Sequence, residues 1–94
     1  MKLVVLYKEP ADTEAFEEAY AKHIPLVDKV PGIVETRVTR FSRTLSGDGF
    51  YLMAEMVFED KDAFKSGMRS PEMAEVGKDA NSFAEGLMTM MIGA

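Results

Sequence analysis

The chain has 94 residues, 47% apolar and 29% charged, with a net charge of −5. That length fits one domain over residues 1–94 with a thin core, since so short a chain buries only about two thirds of its unfolded surface on folding. The acidic balance repels phosphate backbones, and the lack of cysteine excludes disulfides, thiolate metal sites and cysteine nucleophiles.

Residues 2–8, KLVVLYK, are rich in β-branched and large apolar side chains and are punctuated by EPAD, which predicts a first strand. The short apolar run meets charge at once, without the h-region of a secretory signal, and no run approaches the roughly 18 apolar residues of a membrane span. A cytoplasmic protein with no membrane partner is expected. Asp12 is placed to cap a helix with Glu14 in its first turn, and Phe16, Tyr20, His23 and Val27 recur at helical intervals. The helix is predicted over Thr13 to His23, stopping or kinking at Pro25 before the turn at Pro31 and Gly32.

From Ile33 to Arg43 a half-polar strand sets Val34, Thr36 and Val38 on one side and Glu35, Arg37, Thr39 and Phe41 on the other. Arg37, Arg40 and Arg43 alternate faces along it, so they make no stripe that could track a nucleic acid. SGDG at 46–49 predicts a turn into the strand Phe50 to Phe58, completing a hairpin. Asp60 caps a following helix, Ser70 and Pro71 restart one through Phe83, and LMTMMI at 87–92 reads as the last strand. The order is βαββαβ, a ferredoxin-like α+β plan in which helices cover one face of a four-stranded antiparallel sheet.

The first and third strands are apolar on both sides, and two helices cover only one side. Phe50, Leu52, Ala54, Met56 and Phe58 oppose Tyr51, Met53 and Val57, with Glu55 interrupting. The uncovered face predicts a partner, most simply a second copy in a homodimer burying roughly 1,200 to 2,000 Å² and enclosing a barrel-like interior. Met53, Tyr51, Glu55, Arg37 and Thr89 would then line a cavity suited to a small apolar or aromatic ligand with one polar handle, or would serve as dimer core.

The opening KLVVLYKEPADTEAFEEAY, the HIPLV around His23, the Pro31–Gly32 pair and AEMVFED at 54–60 together resemble the EthD family. The similarity spans nearly the whole chain, and His-x-Pro after the first helix is its most specific element. The resemblance implies a dimeric α+β barrel. The family is named for a protein associated with ethyl tert-butyl ether degradation, for which an oxidoreductase link is commonly inferred, and relatives on the same barrel include cofactor-free monooxygenases, polyketide cyclases and muconolactone isomerase. His23 matches the family histidine and Tyr20 lies one turn before it. The second, strand-borne histidine of the cyclases is absent, so their chemistry does not transfer.

Two readings of His23 stand. As a general base it takes a proton from a phenol or activated carbon acid while Tyr20 or Tyr51 hydrogen-bonds the developing oxyanion, which requires no external cofactor. As a structural residue it caps the helix C-terminus. Glu55 is expected to pair with Arg37 across the hairpin, a pairing more often structural than catalytic. One histidine and no cysteine argue against a zinc or iron site, SGDG opens no helix and so is no phosphate loop, and GFYLMAEMVF lacks the aromatic and basic pattern of an RNA-binding strand. An enzyme of catabolism and a non-catalytic carrier serving a partner oxygenase are the two functional readings.

Overall fold

The computed structural model describes residues Met1–Ala94, and the elements follow the order β1 (Lys2–Tyr7), α1 (Thr13–Val27), β2 (Ile33–Arg40), β3 (Leu52–Phe58), α2 (Lys61–Met68), α3 (Pro71–Ala84) and β4 (Met88–Gly93). All strand pairs are antiparallel, in the spatial order β2-β3-β1-β4. β1 pairs Leu3, Val5 and Tyr7 with Met56, Ala54 and Leu52 of β3. Side chains alternate across a pleated strand, so these six share one face, and all six are buried beneath the helices. The alternate set, Lys2, Val4 and Leu6 against Val57, Glu55 and Met53, lies on the open face.

The helix starts follow from their caps. The carboxylates of Asp12 and Asp60 accept from the backbone N–H of Ala15 and Ala63, and the Ser70 hydroxyl accepts from Met73, each satisfying an amide that the first turn leaves free. Pro71 follows Ser70 at the start of α3, where its missing N–H costs nothing.

Two boundaries differ from the sequence reading. α1 does not end at His23 but runs through Pro25 to Val27. Pro25 removes only the amide donor to the preceding turn, and the final turn is held by Leu26 and Val27 packing on the core, with Asp28 N–H bonding the Ile24 carbonyl at 3.1 Å. The β2–β3 hairpin closes late. β2 ends at Arg40, so Arg43 lies in the connection over residues 41–51, and β3 begins at Leu52 rather than at Phe50. A bulge between Ile33 and Glu35 resets the register of β2, after which Thr36, Val38 and Arg40 face the helices and Glu35, Arg37 and Thr39 the open side.

The helical layer is pinned where α2 meets the sheet. Phe58, 1% exposed, packs edge-on against Phe64 with ring centroids 5.2 Å apart. Gly67 permits the approach, since a Cβ there would sit 2.5 Å from Phe58 Cε2 and 2.8 Å from the Pro31 carbonyl oxygen. Gly32, at φ 87°, supplies the left-handed turn that leads into β2.

The open face is less apolar than its sequence implied. Val4, Leu6, Met53, Val57 and Met91 make a stripe, but Lys2, Glu55, Arg37 and Glu35 cross it with charge. The Glu55 side chain is 11% exposed and accepts from Lys2 Nζ at 2.9 Å. Arg37 stands opposite Glu55 in the ladder yet bonds Glu35, so the expected Glu55–Arg37 pair is replaced by two separate ones. No helix of the structure is long and apolar enough to cross a membrane.

Candidate functional site

Phe16, Tyr20 and His23 lie four and three residues apart on α1, which puts all three on the face turned toward the sheet and α3. They join Tyr7 from β1 and Phe83 from α3 in an aromatic cluster: Tyr20 stacks on Phe16 at 5.8 Å, and Phe83 meets the His23 ring edge-on at 5.4 Å. His23 is 3% exposed. Its Nδ1 lies 2.9 Å from Asp79 Oδ2 on α3. A carboxylate accepts, so the proton of this bond sits on Nδ1, and the neutral tautomer with that proton has its lone pair on Nε2. The C-terminal cap reading fails on this geometry, because the helix continues past His23 and the ring bonds an acid on another helix rather than a backbone carbonyl.

No side-chain hydrogen bond engages His23 Nε2, Tyr7 Oη or Tyr20 Oη, yet no fully buried polar side-chain atom lacks a partner. The three atoms therefore border open space. Two voids adjoin these residues, the smaller touching all three and the larger Tyr7 and His23. A small one of about 30 Å³ lies under the α1–β2 edge against Tyr7, Tyr20, His23 and Thr36. A larger one of about 200 Å³ lies between the sheet and α2 and α3, walled by Met56, Met68, Met73, Met88 and Met90. Tyr7, His23 and Met56 form part of both walls. Burial pushes the Tyr7 phenol well above its ordinary range, and burial also raises that of Tyr20 against the opposing charge of Arg40. Both stay protonated and can donate at neutral pH.

The other residues singled out from the sequence are placed elsewhere. Met53, Arg37, Glu55 and Thr89 project on the open face, across the sheet from His23. Arg37 and Glu55 only skirt the smaller void. Tyr51 precedes β3 and escapes its alternation. Its ring packs edge-on to Phe16 at 5.6 Å and its hydroxyl donates to Glu17, which also accepts from Arg40 Nη2 at 2.7 Å. Arg40 and then Tyr51 hold the Glu17 carboxyl below its ordinary value, and Lys2 does the same for Glu55. Asp79 and Tyr7 were not singled out, although Asp79 sits three residues after Val76 and four before Phe83, an acid on the apolar stripe of a helix.

An antiparallel sheet ordered β2-β3-β1-β4 under one helical layer, with a histidine between the layers, defines a ferredoxin-like α+β protein. The EthD domain matches residues 8–86, and the chain belongs to the EthD family. It is similar to an EthD family protein of Bacillus halodurans at 43% identity and a TM-score of 0.92, covering 99% of this chain and 95% of that one. It is 32% identical to an uncharacterized 11.0 kDa protein from the thcB–thcC intergenic region of Rhodococcus erythropolis, over 96% of this chain and 89% of that protein. The fold alone is shared with a dimeric ferredoxin-like protein of Thermobifida fusca (8% identity, TM-score 0.68, 98% and 89% covered) and with SnoaB, a cofactor-independent oxygenase of Streptomyces nogalater (17%, 0.61, 99% and 91%).

Proposed function

We propose that the chain acts as a homodimer that binds a small apolar or aromatic molecule between its helices and its sheet, with His23 Nε2 as general base. The observation that carries this reading is the Asp79–His23 bond, which holds the imidazole by Nδ1 in the wall of a mostly apolar cavity and leaves Nε2 without a protein partner. The base takes a proton from an acidic O–H or C–H, an N–H bond forms at Nε2, and the electron pair stays on the substrate, where the Tyr7 hydroxyl, in the same wall, donates to the developing oxyanion. Such a transfer leaves oxidation states unchanged and calls for no cofactor. The dimer reading is supported by the apolar stripe on the open face and by the dimeric state of the Thermobifida fusca protein.

The test is exchange of the benzylic hydrogens of phenylacetone in D2O, followed by NMR. The protein is expected to accelerate exchange, and His23→Ala to lower it by roughly 10²- to 10⁴-fold while phenylacetone still binds. Unchanged exchange in His23→Ala overturns the base. Binding without any acceleration favours the carrier.

A further inference from the structure

The larger void has a composition that selects its occupant. Its wall draws thioethers from four elements, Met56 on β3, Met68 on α2, Met73 on α3, and Met88 and Met90 on β4, and includes no Lys, Arg, Asp or Glu. Polar chemistry is concentrated where Tyr7 and His23 stand, with the Asn81 amide the other hydrogen-bonding side chain in the wall. We propose that this chamber binds a neutral, single-ring phenol, its hydroxyl donating to His23 Nε2 and accepting from Tyr7 Oη, its ring edged by the methionine sulfurs. The proposal rests on the cavity assigned above, not on the catalytic step.

Size sets the ring count. A dry apolar cavity of roughly 150 Å³ holds one benzene ring, whereas pockets for drug-sized ligands begin near about 300 Å³, so about 200 Å³ fits one ring with a small substituent. Charge sets the class. A carboxylate or phosphate carried into this wall would lose its hydration with no Lys or Arg to meet it, and the protonated edge of His23 is already taken by Asp79. The thioethers set the aromaticity, since polarizable sulfur packs favourably at ring edges and the unbranched side chain adapts to a flat guest.

The chain carries eight methionines, and of the three outside the chamber wall Met53 and Met91 lie on the open sheet face, the third being Met1. With 13C-methyl-methionine protein, titration with p-cresol is expected to move the Met56, Met68, Met73, Met88 and Met90 methyls and leave Met53 and Met91 in place. Toluene, which lacks the hydroxyl, should bind at least about tenfold more weakly. 1-Naphthol should bind roughly tenfold more weakly or not at all, and benzoate should produce no shifts. Shifts confined to Met53 and Met91, benzoate or 1-naphthol binding as tightly as p-cresol, or no p-cresol binding would each overturn the proposal. p-Cresol binding beside failed phenylacetone exchange would remove the base and leave the ligand class standing; exchange without p-cresol binding would do the reverse.

Discussion

The two faces of one sheet differ in what lies against them. On the covered face the side chains that β1 and β3 turn toward the helices are all buried, and three of the polar groups there, His23, Tyr7 and Tyr20, are set around voids. On the open face Lys2 pairs with Glu55 and Arg37 with Glu35, and the apolar stripe between them encloses nothing within the subunit. A ligand site needs walls on several sides, whereas an association surface needs only a broad apolar strip with charges to set its register.

The sharpest way to break this comparison is to truncate neighbours on opposite faces. Phe58→Ala should cost about 3–5 kcal/mol in urea unfolding, and Gly67→Ala about 1–3 kcal/mol through its clash with the Phe58 ring. Val57→Ala, one residue away on the other face, should fall well below Phe58→Ala, and equal losses would dissolve the distinction. Next, Leu6→Glu on the open face should weaken self-association by roughly a hundredfold in sedimentation equilibrium while leaving the near-ultraviolet spectrum of the subunit intact. An oligomeric state that ignores it would remove the stripe from any interface.

Within the covered face, Asp79→Ala should lower phenylacetone exchange about tenfold or more and scramble the tautomer of the chain's only histidine, a single 15N imidazole pattern that requires no assignment. A tautomer that stays fixed would assign Asp79 no orienting part. The smallest effect belongs to acid. The folded carboxyls of Glu17 and Glu55 hold protons less tightly than their unfolded value of 4.5, so their stabilisation is present above that pH and is lost as pH falls through the lowered values. Glu55→Gln should flatten that part of the stability curve below pH 4.5; an unaltered curve would make the Lys2 bond irrelevant to folding.

Strand alternation, the three caps and the βαββαβ order were legible because each depends on residues close in sequence. Where three-dimensional packing met a local rule, the predicted bound at His23 fell short: α1 runs through Pro25 to Val27, and Leu26 and Val27 pack against the core. Tyr51 kept no alternation because it stands just outside its strand, where Phe16 and Glu17 capture it. His23 was visible as a polar residue on an apolar stripe. The position of a cavity was not, since the larger void is lined by residues of six separate elements, β1, α1, β3, α2, α3 and β4, that only the folded chain brings together.

The break between α2 and α3 has a bearing on the chamber beyond the helices themselves. Gly67 lies close against Phe58, and the next residue, Met68, lines the void. One wall of the void is thus tied by a single peptide link to the close approach of Gly67 and Phe58, so a side chain added at residue 67 would be felt in the void as well as in the core.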